Sequence, residues 1–133
     1  MRHLYDATTH SIRVQVEPSY LEDQSAPEED YYVWSYKVVI ENKGGNTVQV
    51  RNRHWRIVDS AGRTQEVHGE GVVGEQPVLG PGDRFEYTSG APLSTPSGIM
   101  GGTCEVATDD GSLLDVTIPA FSLDSPYAQR TMN

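Results

Sequence analysis

Apolar and polar side chains take turns along much of this chain. Ile12, Val14 and Val16 alternate with Arg13, Gln15 and Glu17, and Trp34, Tyr36, Val38 and Ile40 are separated by Ser35 and Lys37. A period of two marks half-buried strands. Cys104 and Val106, then Leu114, Val116 and Ile118, repeat it on either side of Asp109-Asp110-Gly111-Ser112. The Asp-Gly step there predicts a type I′ hairpin. Lys43-Gly44-Gly45-Asn46 predicts another tight hairpin, because Gly and Asn tolerate positive φ. Ser60–Arg63 and Gly80–Asp83 read as turns leading into strands at Thr64–His68 and Arg84–Thr88. Helical spacing is not sustained anywhere, so no long helix is expected. Seven or more short strands joined by turns predict an all-β fold, an antiparallel β-sandwich of immunoglobulin or fibronectin type III kind. Residues 1–124 are expected to form this single domain, with 125–133 as a poorly ordered C-terminal tail.

One predicted strand, about Thr47–Val58, changes phase. Val48 and Val50 are apolar at even positions, Trp55 and Ile57 at odd ones. A straight strand cannot bury both sets on one face. Either a bulge lies near Asn52–His54, or the strand crosses between sheets there.

Charge narrows the function. Ten basic against 19 acidic residues leave a formal net charge of −9, which argues against nucleic acid as a partner. The charge is uneven: Glu22–Asp30 is an acidic loop, whereas Lys43, Arg51, Arg53 and Arg56 fall in a stretch with no acid. That stretch reads either as a basic strand beside acidic neighbours or as an anion or partner site. No apolar run approaches the ~20 residues of a membrane helix, so no membrane insertion is expected. The N-terminal Met1–Asp6 lacks an apolar signal core, and the only cysteine, Cys104, cannot form an internal disulfide. A cytoplasmic location fits these features. Trp34, Trp55, Tyr36 and Phe85 sit in core-facing phases, while Tyr31 and Tyr32, beside the acidic loop, are expected to be partly exposed.

Several motifs run together with unusual specificity: Arg53-His54-Trp55-Arg56-Ile57-Val58-Asp59, Glu66-Val67-His68-Gly69-Glu70-Gly71-Val72-Val73-Gly74-Glu75-Gln76-Pro77, Phe85-Glu86-Tyr87-Thr88-Ser89-Gly90, Thr95-Pro96-Ser97-Gly98-Ile99-Met100 and Phe121-Ser122-Leu123. In these the chain resembles the ApaG family over nearly its whole length. The resemblance implies a small bacterial sandwich of fibronectin type III kind, linked to cobalt and magnesium efflux (the CorD phenotype). It also implies a protein-interaction role, since related domains occur in eukaryotic F-box proteins and in a polymerase-interacting protein. It brings no established catalytic residues. The chain departs from the family pattern at Cys104 and Val106, where members often carry an aromatic and a Met.

Gly69-Glu70-Gly71-Val72-Val73-Gly74 fits GxGxxG as a string. A Rossmann site also needs a helix after it and an acid about 20 residues on, and Glu75-Gln76-Pro77 supplies no helix. Glu70 would also face a bound phosphate, at a cost of ~1 to ~4 kcal/mol depending on solvent access. A looser site for a nucleotide or pyrophosphate, built from the loop and the nearby arginines, is the alternative function. Glu66 and His68 share one strand face and, with His54, invite a metal reading; His3 and His10 look incidental. Ser89 has no visible base partner, and Cys104 alternates as a core residue. The expectation is therefore a non-enzymatic interaction module without a cofactor. Its candidate binding surface is Arg53, His54, Trp55, Glu66, His68, Gly69, Gly71 and Gly74. Its protein partner is not identified by sequence. Open sheet edges would allow a homodimer, and a weak anionic ligand fits the arginines.

Overall fold

The computed structural model describes residues 4–72 and 74–128. Within them nine strands build two antiparallel sheets. β1 (Tyr5–Thr9), β2 (Ile12–Tyr20), β3 (Tyr32–Asn42) and β7 (Arg84–Leu93) form one sheet in the order β1-β2-β3-β7. β5 (Thr64–Glu70), β4 (Val48–Asp59), β8 (Ser97–Thr108) and β9 (Leu113–Asp124) form the other in the order β5-β4-β8-β9. β6 (Val78–Leu79) pairs the start of β4. The fold is thus the all-β antiparallel sandwich that the alternation predicts. Among the described residues no helix is long and apolar enough to cross a membrane.

The core lies between the sheets. Trp34, Phe121, Ile12, Ile40, Met100 and Ile118 are its largest fully buried side chains. Each such side chain contributes roughly 1.5–3 kcal/mol of transfer free energy. The aromatics interlock: Trp55 meets Tyr36 edge-on at 5.2 Å and Phe121 at 6.0 Å. Tyr31 is exposed, but Tyr32 is buried, because it falls in the same inward phase as Trp34 and Tyr36. Phe85 is only partly buried and packs at the core margin.

Two turns differ from expectation, and a third has no counterpart among the expected ones. Lys43–Asn46 is not a hairpin: β3 and β4 lie in different sheets, and the segment carries the chain across. Asn42 anchors that crossing. Buried at 1% exposure, it donates from Nδ2 to the carbonyls of Asn46 (2.7 Å) and Leu79 (2.9 Å) and accepts from the Gly44 N–H (3.0 Å). The β8–β9 loop closes with Gly111 N–H donating to Thr108 and with Gly111 alone at positive φ. That is a type I turn followed by a left-handed glycine, not type I′. Asp110 accepts from Thr108 and Ser112 there, which holds its carboxyl down to about 2. Tight two-residue geometry instead appears between β1 and β2, where His10 and Ser11 both take positive φ. His10 therefore sits at the apex of a turn, and His3 lies outside the described residues.

The tail expectation also changes in part. Ser125 is buried and donates its N–H to the Pro96 carbonyl, and the Tyr127 hydroxyl donates to Glu22 at 2.8 Å. Residues 125–128 therefore dock on the sandwich. The rest of 125–133 lies outside the described residues.

β4 stays in one sheet and carries the bulge. Val50 pairs Val106 and Asn52 pairs Glu105, leaving Arg51 as the extra residue, just before the expected Asn52–His54. Val50 before it and Arg53, Trp55 and Ile57 after it can then share the inner face, which resolves the phase change. Farther along, Gly102 lies against β4 so closely that a Cβ there would run into the His54 carbonyl oxygen. We predict that Gly102→Ala costs more than ~3 kcal/mol in urea unfolding, because backbone would have to separate. Gly45→Ala, with open space and no positive φ, should stay within ~0.5 kcal/mol. Equal, small effects at both positions would refute the close approach.

Candidate functional site

The glycine motif is built around the bulge. β5 covers one edge of β4 from Asn52 to Val58, and β6 covers the same edge at Val48 and Gln49. The chain must turn away between them, beside Arg51. Gly71 makes that turn at φ +59°, a region open to glycine at little cost. A Cβ there would meet the Glu75 carbonyl. The Arg51 carbonyl, freed by the bulge, accepts from the Gly71 N–H (2.7 Å) and from Gln76 Nε2 (3.0 Å). Val72 drops into the core, and its N–H and that of Glu75 donate to each other's carbonyls. Gly74 takes φ +82° at the exposed tip.

Arg53 fastens this turn from below. It shares an inward-facing row with Cys104 of β8 and Gly69 of β5. Its Nη1 donates to the carbonyls of Glu70 (3.1 Å) and Gly71 (2.8 Å). A Cβ on Gly69 would meet the guanidinium at 2.9 Å, so any larger residue there would shift Arg53. The motif therefore offers carbonyls to an arginine. Its Gly71, Val72 and Glu75 amides are already committed to backbone acceptors, whereas phosphate cradles need free N–H groups.

The candidate surface consequently divides. Arg53, Trp55, Gly69 and Gly71 belong to the inner row or the turn; Trp55 is core, at 2% exposure. His54, Glu66 and His68 face outward. His54 pairs His68 across the strands, and their rings stack in parallel at 4.2 Å and 9°. His54 Nε2 lies 3.0 Å from Glu66 Oε1, and a carboxylate only accepts. Parallel stacked rings do not converge their nitrogens on one point. Among the described residues no group of three or more His, Cys, Asp or Glu is placed to hold a metal ion.

Beside the histidines lies an open depression of about 480 Å³, which Arg53, Gly69 and Glu70 line together with Asn52, Thr103, Glu105 and Asp115. Asn52 Nδ2 donates to Glu105 at 2.8 Å. Sequence reading missed Thr103, Glu105 and Asp115 because they join the site through β8 and β9, which no local pattern announces. The arginine stretch is flanked by acids on both sides, since Arg56 pairs Glu66, while Asn52 pairs Glu70 and Glu105. That setting matches the basic-strand reading at Arg56, which pairs Glu66, and leaves the anion reading to the inward-facing Arg53. Cys104 is buried, which pushes its thiol up to about 12 despite the nearby Arg53. A thiol so held is not an activated nucleophile.

A small two-sheet sandwich with a glycine turn locked onto a bulged strand defines the class. The ApaG domain family profile matches residues 22–108. The chain is 59% identical over 130 residues to Protein ApaG of Parvibaculum lavamentivorans and to that of Paramagnetospirillum magneticum, covering 98% of this chain and all of each relative. The crystal structure of an ApaA protein from Bordetella pertussis superposes with a TM-score of 0.86 at 45% identity, covering 92% of this chain and 99% of that one. A second structural-genomics X-ray structure gives 0.84 at 38% identity, covering 96% of each chain. This chain belongs to the ApaG family.

Arg53→Met keeps the aliphatic stem and removes both donors to the turn. It should cost about 2–4 kcal/mol, because two backbone carbonyls lose a charged partner. Arg56→Met, on the exposed face, should stay within ~0.5 kcal/mol. Denaturant unfolding of both variants checks this; an Arg53→Met midpoint equal to wild type would remove the fastening.

Proposed function

We propose that the protein is a non-enzymatic, cytoplasmic interaction module. It docks a protein partner on the outer face of the β5-β4-β8-β9 sheet, around His54, Glu66 and His68. The observation that carries this is that the face is already tied together. His54 stacks on His68 and reaches Glu66, and Asn52 bonds Glu105. Side chains ordered before contact lose little further entropy on binding. A shallow, mixed-charge surface with an imidazole stack at its centre also suits a flat protein partner better than a small molecule, which favours enclosed clefts.

The link to cobalt and magnesium efflux follows from the family resemblance and fits an indirect role. Contact with a transporter, or with a protein controlling gene expression, would be enough. A nucleotide or pyrophosphate has less support at the glycine loop, given the committed amides and the inward Arg53.

The test is growth of a deletion strain in cobalt-containing medium. The deletion should be cobalt-sensitive, and the wild-type gene should restore growth. The double variant Arg56→Glu/His68→Glu should fail to restore it while losing less than ~1 kcal/mol of stability, since both sites are exposed. Full rescue by the variant would remove this face as the contact. A deletion indifferent to cobalt would remove the efflux link.

A further inference from the structure

A second recess lies on the other side of Arg53, where the open edges of β5 and β7 leave a cleft between the sheets. It measures about 210 Å³, with Tyr36, Trp55, Ala91, Pro92 and Met100 among its walls. An engineered cavity of roughly 150 Å³ is enough to hold benzene, so the cleft accommodates one ring and a short substituent.

Two polar features set its chemistry. Tyr87, 8% exposed, lines the cleft, and its buried hydroxyl has no hydrogen-bond partner among the described residues. A buried donor left unsatisfied costs roughly 1–3 kcal/mol, so an acceptor there is worth having. Arg53 also lines the cleft. Only its Nη1 is occupied by the turn carbonyls, and it forms no salt bridge among the described residues. No carboxylate lines the cleft, while Gln65 and Ser89 flank it. A partly buried guanidinium without a counter-ion favours an anion. Burial raises the Tyr87 phenol well above its ordinary range, so the hydroxyl stays a donor.

We propose that this cleft binds a small monocarboxylate carrying one aromatic or apolar ring, its ring against Trp55 and Tyr36 and its carboxylate accepting from Tyr87 and Arg53. Nucleotides are too large and too highly charged for the space. Arg53 lines both recesses, but His54, Glu66 and His68 do not line the cleft, so this proposal and the docking proposal are tested separately.

The test is an amide NMR titration of the full chain with 3-phenylpropionate. The uncharged 3-phenylpropanamide and ringless acetate serve as controls. Saturable shifts are expected at Gln65, Val67, Tyr87 and Ser89–Ala91, with both controls at least about tenfold weaker. Tyr87→Phe should weaken phenylpropionate about fivefold while leaving the melting temperature unchanged or raised, because the lost hydroxyl had no partner. That variant avoids Arg53, whose removal would loosen the turn. Any of four results overturns the proposal: no saturable shift by about 10 mM, equal binding of the amide, unaltered binding by Tyr87→Phe, or shifts confined to the His54–His68 face.

Discussion

The guanidinium of Arg53, held beneath the glycine turn, is the contact on which the local architecture depends. A bulge at Arg51 lets β4 bury Val50 and then Trp55 on the same face. That repair leaves the Arg51 carbonyl without a ladder partner and breaks the strand cover along one edge. The turn after β5 answers both needs: Gly71 and Gln76 donate to Arg51, and Val72 plugs the core. The carbonyls of Glu70 and Gly71 would then be left over, and Arg53 takes them. Bulge, glycines and arginine are one construction, because each supplies what another leaves unsatisfied.

This construction also decides how charge is distributed. Adjacent residues on a strand point to opposite faces, so Arg53 and His54 leave β4 in opposite directions and share only the depression beside the histidines. The cation turns toward the space between the sheets, and the histidines turn toward solvent among Glu66, Glu70 and Glu105. A motif that looks like a single site in one dimension therefore serves two surfaces. The outer one is a flat, pre-tied polar face; the inner one is a narrow aromatic cleft with a positive end.

Alternation made most of the sandwich legible, since Ile12–Val16, Trp34–Ile40 and Leu114–Ile118 each bury the predicted side. Even the break in phase announced the bulge to within a residue or two. Turns were harder to read. His10-Ser11 forms the tight positive-φ turn without glycine, while Asp109–Gly111 closes differently than its Asp-Gly step suggests. Lys43–Asn46 has hairpin chemistry but joins two sheets, because what fixes it is the buried Asn42 and its partner Leu79, which sequence distance hides. The candidate site was legible as a set of residues but not as a place. Gly69, Gly71 and Arg53 were singled out for ligand chemistry, and the structure gives each of them a part in holding the turn. Tyr87 was legible through its strand phase and as part of a family motif, with nothing to mark it for ligand chemistry.

The most direct measurement is the side-chain NMR spectrum of the arginines in the intact chain. Arg53 should give resolved Nη signals with slow rotation and slow hydrogen exchange, because its guanidinium is held by two backbone carbonyls. Arg51 and Arg56, on the exposed side, should give averaged signals that exchange rapidly with water. An Arg53 guanidinium as freely rotating and as quickly exchanging as theirs would contradict the account.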